Sequence, residues 1–360
     1  MEKQITETEN NLTTPNRKGF KSRIKLLLSI SIPIILIALI AVGVRAYQIK
    51  QAVEQTAKEI HVSVPQDIAP KVALKESEPI SILLLGLDTP WDTSTHDLGR
   101  SDTMILLTID PKLKKTTMVS IPRDIRVHIE DRGFQKINAV WTFGEVEEEG
   151  KGIETATAFV SEMFDIPIHY VAQINFRGFS DLVTAIGGIE VDNAFEFTTS
   201  KYHFPAGEIE LNGPEALAYV RMRYQDPLSE VGRQARQRMV LQEIFNKLNA
   251  FAIFSDYREI FDAVEKNVRT NLTLNEMYQL KNDYASSIGE MEPVVIETTS
   301  ASIAEVTNPQ TASSYQRLSF EERIRITNIL RESLRLPRKD ISEYEQNIEE
   351  LSNPIVKENS

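Results

Sequence analysis

The runs ISILLLGLD (80–88), GRSDTMILLTID (99–110) and TTMVSIPRD (116–124) decide how this chain folds. The first is a short apolar run rich in branched residues, without the apolar/polar alternation of a strand that has one wet face. Strands apolar on both sides belong inside a layered domain, covered by helices above and below. The third run follows the second after the turn-like PKLKK (111–115), so these two are expected side by side across a short connection.

Downstream, helix-like and strand-like segments interleave. Residues 153–164 have helical periodicity, 170–174 read as a strand, and 176–186 read as a helix that Gly187-Gly188 ends before the strand IEV (189–191). Gly213-Pro214 opens another helix through EALAYV, with proline at a favoured first-turn position. A longer amphipathic helix is expected over 236–250, and further helices over 257–266, 274–284 and 319–334. This alternation predicts an α/β layered domain rather than a helix bundle or a β-sandwich.

Upstream, Leu26–Val44 carries no charge. Nineteen residues at about 1.5 Å each span roughly 28 Å, the thickness of a bilayer's hydrocarbon core. Arg17, Lys18, Lys21, Arg23 and Lys25 crowd one flank, while the other begins with only Arg45 and Lys50, which places the N-terminus in the cytoplasm and the rest outside the cell membrane. A cleaved signal peptide is the alternative, but the run is long for one and lacks a clean small-x-small site. The expected organisation is a cytoplasmic tail (1–25), a single transmembrane helix (26–44), a stalk or linker (45–79), a globular domain (80–336) and a solvated tail (337–360).

Composition removes several kinds of chemistry. The 360 residues, 41% of them hydrophobic, suffice for one substantial core or two small ones. A net charge of −12 opposes general nucleic-acid binding, so any anion site must be a local cluster of cations. With no cysteine, disulfides, thiol nucleophiles and cysteine-ligated zinc are excluded. The five histidines, at 61, 96, 128, 169 and 203, show no metal-ligand or catalytic spacing, and no phosphate-binding glycine loop or nucleophile elbow is present.

What remains is arginine and carboxylate. The segment RMRYQDPLSEVGRQARQR (221–238) holds five arginines against Asp226 and Glu230. Arg221 and Arg223 align if the chain is extended there, and Arg233, Arg236 and Gln237 share one face of a helix start. Guanidinium forks match phosphate oxygens and stay charged at any relevant pH. A solvated basic helix face pairing with the acidic surface is the plainer alternative. Asp88, Arg100-Ser101-Asp102 and Arg123-Asp124 sit at strand ends, which converge in one crevice if the strands are neighbours. Asp88 and Asp102 would offer hard oxygens suited to Mg2+ or Mn2+, and with Arg100, Arg123 and the later arginines they describe a pyrophosphate site.

These residues also carry a family resemblance. ISILLLGLD, GRSDTM, VSIPRD, KINAV, FSDLVTAIGGIEVD, LNGPEALAYVRMR and QDPLSEVGRQARQR, in that order after one membrane helix, resemble the LytR-CpsA-Psr proteins of Gram-positive cell envelopes. The likeness covers residues 80 to 250, and more weakly to 336. Ser229-Glu230 stands where a Gly-Asp pair is common, and TPWDTSTHDL (89–98) is long for the loop between the two aspartates.

The resemblance implies an α/β/α layered domain around a central mixed β-sheet, and a phosphotransferase that attaches teichoic acid, capsule or another glycopolymer to peptidoglycan from an undecaprenyl-pyrophosphate carrier. It implies Asp88 and Asp102 as magnesium ligands, and Arg100, Arg123, Arg221, Arg223, Arg233, Arg236 and Gln237 as the pyrophosphate grip. Lys136 and Asn138 are further candidates for phosphate contact or loop structure. Asp226 is expected either as base toward the acceptor hydroxyl or as the anchor of an arginine. A polyprenyl-pyrophosphate hydrolase and a non-enzymatic polyprenyl-phosphate-binding regulator are the competing functions.

Overall fold

A computed structural model of the chain describes residues 47–48, 50–74, 77–89, 98–250, 260, 262–288, 291–302 and 314–340. The expected cytoplasmic tail, the expected membrane helix and residues 341–360 lie outside them, as do most of the 89–98 loop and much of the helix expected over 257–266. Among the described residues no helix is long and apolar enough to cross a membrane. The chain divides into two units, 1–51 and 52–360. The described residues of the first are helical, and Gln51 Nε2 donates to Tyr47 Oη at 2.8 Å.

The second unit opens with helix α1 (52–60). Strands β1 (Ile80–Leu87), β2 (Ser101–Asp110) and β3 (Lys115–Ser120) are the three runs that opened the sequence reading. The hairpin β4 (Arg126–Ile129) and β5 (Gly133–Lys136) leads through a 3-10 turn at Ile137–Ala139 into α2 (Val140–Glu147) and α3 (Gly152–Phe164). Next come β6 (Tyr170–Asn175), α4 (Phe176–Ala185), β7 (Ile189–Asn193), the short pair β8 (Phe197–Thr198) and β9 (His203–Phe204), and β10 (Gly207–Leu211). Helices α5 (Gly213–Arg221) and α6 (Ser229–Ala250) precede β11 (Val268–Thr270) and α7 (Leu274–Gln279). The last elements are β12 (Met291–Val295), β13 (Thr298–Ser302), β14 (Ser314–Leu318) and α8 (Phe320–Ser333).

Six strands form the central sheet in the order β11-β6-β1-β2-β3-β12. It is mixed, because β1 and β3 each run antiparallel to β2, while β6 lies parallel to β1 and β12 parallel to β3. Strand alternation sorts the apolar side chains to two faces. Leu83, Leu85, Met104, Leu106 and Val119 join Val160 and Phe164 of α3 and Ile326 and Leu330 of α8. Ile82, Ile105, Leu107 and Met118 turn the other way, toward Leu241 and Phe245 of α6. Each such burial contributes about 1.5–3 kcal/mol, so both helical layers are held by the sheet's double apolarity.

Three boundaries differ from the sequence reading. The segment expected as a linker, 45–79, is packed from residue 53 onward: Val53, Ala57 and Ile60, spaced along one helical face, are buried, and Val62 N–H donates to Thr270 C=O at 2.8 Å. The helical spacing of 46–60 was legible in sequence, but nothing local told that the domain covers one face of it. Helix α6 begins at Ser229, ahead of the amphipathic stretch expected from 236, and Gly232 sits inside it. A Cβ there would lie 2.0 Å from Asp226 Oδ2, so the glycine serves close approach. Finally, residues 337–340 are tied down: Arg331 Nε donates to Pro337 C=O at 2.6 Å and Asn328 Nδ2 to Lys339 C=O at 3.1 Å.

Candidate active site

Because β2 is antiparallel to both neighbours, its first residues lie where β1 and β3 end. β1 delivers Asp88, β2 starts at Ser101-Asp102, and β3 runs out through Ile121-Pro122 to Arg123. Asp88 N–H donates to Arg100 C=O at 3.0 Å, and Arg100 N–H returns a bond to Asp88 Oδ1. Gly99, at φ 71°, makes the crossing possible, since a Cβ would meet the Thr89 backbone nitrogen at 2.8 Å.

Asp102 is the centre of the arrangement. Arg123 Nη1 donates to its Oδ2, and Asn138 Nδ2, from the 3-10 turn, donates to its Oδ1 at 2.8 Å. Arg123 Nε lies 3.7 Å from Asp124 Oδ2, while Lys136 Nζ, at the end of β5, donates to Asp124 Oδ1 at 2.6 Å. Burial alone lowers the proton affinity of Arg123, but the carboxylates of Asp102, Asp124 and Glu230 reverse this and raise its pKa above the ordinary arginine value. Its guanidinium is therefore a fixed cation.

Helix α6 approaches from the other side of the crevice. Arg233 Nη2 reaches Asp102 C=O at 3.4 Å, and its Nε donates to Glu230 Oε2 at 3.0 Å. One turn on, Gln237 Nε2 donates to Thr103 Oγ1 at 3.0 Å. Arg223, just past the end of α5, has its Nε 3.7 Å from Glu230 Oε2. Arg221 stacks 4.4 Å from the ring centroid of Phe176, which follows β6. The structure thus gathers Asp102, Arg123, Lys136, Asn138, Arg233 and Gln237, joins Asp88 and Arg100 to them through backbone bonds, and sets Arg221 and Arg223 on the α5 side.

Arg236 and Asp226 go elsewhere. Arg236 is buried, gives Nη1 to Asp226 Oδ2, Nη2 to Met222 C=O and Nε to Tyr219 C=O at 3.1 Å. Asp226 Oδ1 accepts Leu228 N–H at 2.7 Å, and its side chain is 2% exposed. A carboxylate so enclosed anchors an arginine and closes the α5–α6 junction, which corrects the expectation of a base there. The same contacts remove Arg236 from the phosphate grip. Its i+3 spacing from Arg233 aligned the two in sequence, but its donors are consumed within the junction.

The sequence reading noted Asp124, Glu230 and Arg238 but gave none of them a role of its own. The i, i+3 spacing of Glu230 and Arg233 signals the first of the ion pairs, and Asp124 follows Arg123 directly. Arg238 gave no signal beyond its place in an arginine run.

Two carboxylates at adjacent strand ends fit a hard divalent cation, which takes one or two protein carboxylates and completes its shell with water and phosphate oxygens. Asn138 Oδ1, beside Asp102, is a buried acceptor without a donor, as expected where a cation or its water belongs. Among the described residues no group of three or more His, Asp or Glu gathers to form an all-protein cage. Beyond Asp88, Leu87, Thr89, Trp141, Gln173 and Asn175 line a cavity of about 310 Å³, roomy enough for a sugar beside the charged cluster.

Comparison with known proteins gives three concordant findings. Residues 38–331 match the model of the LytR_cpsA_psr family. A protein of Bacillus cereus named polyisoprenyl-teichoic acid–peptidoglycan teichoic acid transferase TagU is 39% identical over 268 residues, 73% of this chain and 84% of that one. Its namesake in Enterococcus faecalis is 36% identical over 314 residues, 87% of this chain and 99% of that one. The crystal structure of B. subtilis TagU superposes with a TM-score of 0.54 at 34% identity, covering 71% of this chain and 97% of that one.

Proposed function

Because the chain belongs to the LytR-CpsA-Psr family, we propose that it transfers a glycopolymer of the teichoic acid class from a polyisoprenyl-pyrophosphate carrier, undecaprenyl in length, to a hydroxyl of peptidoglycan. The observation that carries this reading is the meeting of Asp102, Arg123, Asn138 and Arg233 at one end of the sheet. Cations and an amide donor from three separated stretches share a single crevice there, and a diphosphate is the ligand whose charge matches them.

In this reaction the acceptor oxygen bonds to the polymer-side phosphorus. The bond from that phosphorus to the bridging oxygen breaks, and polyisoprenyl phosphate leaves, carrying off the hydroxyl's proton. Phosphoryl transfer asks the protein for position and charge neutralisation more than for covalent chemistry. Arg123 and Arg233, with Arg100, Arg221, Arg223 and Lys136 around them, neutralise the diphosphate. Gln237 and Asn138 orient it. Asp88 and Asp102 would hold Mg2+, or Mn2+, which when bound adds positive charge against the phosphate oxygens. The span 26–44 would tether the enzyme to the cell membrane, with the site on the outer side where the carrier's headgroup and the wall meet.

Full-length protein in vesicles, supplied with carrier-linked polymer, tests this with and without peptidoglycan. Polymer is expected to become covalently attached only when peptidoglycan is present, and Arg123→Ala is expected to slow attachment by about 10²–10³-fold, the scale for losing one charge-stabilising donor. Polymer released equally fast without acceptor would instead mark a hydrolase, and attachment undiminished in Arg123→Ala would remove the site from the reaction.

A further inference from the structure

The buried cations of the site come with acids, and Arg238 is the exception. Arg233 has Glu230, Arg236 has Asp226, and Arg123 has Asp102 and Asp124. Arg238 sits half-buried on α6, where its Nη1 donates to Ser120 Oγ at 3.1 Å, and no carboxylate of the described residues pairs with it. A neutral hydroxyl satisfies one of five N–H donors and none of the charge. An arginine enclosed in this way is costly unless an anion completes it. Burial with no compensating acid also pushes its pKa below the ordinary value.

Its position says which anion. Along α6, Arg233 touches the start of β2, Gln237 touches Thr103, and Arg238 stands over Ser120, the last residue of β3. One turn further, Leu241 and Phe245 lie against Ile105, Leu107 and Met118. Arg238 therefore marks the line where the charged crevice gives way to the apolar face of the sheet. An amphiphile whose phosphate joins a hydrocarbon chain meets the same transition.

We propose that Arg238 and Ser120 form a distinct phosphate subsite that takes the lipid-side phosphate of the carrier, the group that departs with the polyisoprenyl chain. This rests on the transferase reading and assigns within it which cation holds the leaving group. Arg238 holds that phosphate in substrate and product alike, so its removal weakens binding of the released lipid phosphate as well as of the donor.

The test uses the full-length chain in detergent micelles and compares binding of undecaprenyl phosphate with that of uncharged undecaprenol. Wild-type protein is expected to prefer the phosphate. Arg238→Gln is expected to lose about tenfold of that preference, the size of one charge-assisted contact, while its affinity for the alcohol stays the same. Arg238→Lys, which keeps the charge without the fork, should recover part of the loss. The thermal midpoint of ligand-free Arg238→Gln is expected at or above wild type, because a half-buried charge without an acid beside it is gone. Unchanged phosphate preference in Arg238→Gln overturns the subsite and leaves the transferase standing, as does a loss accompanied by a lowered midpoint. If the wild type itself does not distinguish phosphate from alcohol, the transferase reading falls with it.

Discussion

At the scale of single residues, environment rather than residue type separates the working groups from the structural ones. Asp102 and Asp226 are both aspartates held by an arginine. Asp102, with a side chain 17% exposed, shares its partner with a crevice, whereas Asp226, at 2%, is shut in with Arg236. Sequence spacing could not tell them apart, because exposure depends on which helix covers which strand end. His169 shows the same dependence. Its Nδ1 accepts Ser81 N–H at 3.0 Å, and burial lowers its pKa from 6.5 to about 4. The folded chain keeps this ring neutral while the unfolded chain protonates it near 6.5, so its contribution to stability is complete above that pH. It is lost as the pH falls toward 4, by about 3 kcal/mol in all. Thermal midpoints between pH 7 and 4 should therefore decline less steeply for His169→Gln than for wild type. Parallel declines would show that another group sets the acid response.

Helix α6 is the element on which the site depends. Its first turns hold Glu230, Arg233 and Gln237 over the sheet end, and Arg236 binds it to the end of α5. Removing the acid of that buried pair leaves a guanidinium without its counter-ion, so Asp226→Ala is expected to destabilise the protein by about 3–5 kcal/mol, read from denaturant unfolding. Gly232→Ala should act in the same direction, because its new Cβ displaces the Asp226 carboxylate. If both variants unfold like wild type yet lose transfer, Asp226 would be returned to the reaction as a base. This element was only half legible in sequence. Its apolar second half announced a helix from 236 and the spacing of Arg233, Arg236 and Gln237 a helix start, but neither told that Arg233 faces the crevice while Arg236 is shut into the α5–α6 junction. Strands β1 to β3 were legible because β1 is a continuous branched aliphatic run, which reports burial on both faces, and because only a short turn separates β2 from β3. Pairs such as β4 and β5, partly exposed and four residues each, carried too little pattern to be read.

For the whole molecule, the antiparallel placement of β2 between β1 and β3 turns three sequence-distant motifs into one locus, and that convergence was foreseeable from the strand order alone. The contribution of α6 was not, since nothing local fixes which sheet face a helix covers. The convergence predicts metal linkage. Mg2+ or Mn2+ should raise the thermal midpoint of the wild type by mass action, and the rise should vanish in Asp88→Ala and Asp102→Ala. An equal rise in both variants would place the cation elsewhere.

The most direct test is a crystal structure of the chain with a polyisoprenyl-linked diphosphate bound. Both phosphates should lie within hydrogen-bonding reach of Arg123 and of Arg233 or Gln237, at the end of the sheet where β1 and β3 finish. A diphosphate lodged at the opposite end, in the cavity of about 520 Å³ lined by Arg331 and Asp165, would contradict the account.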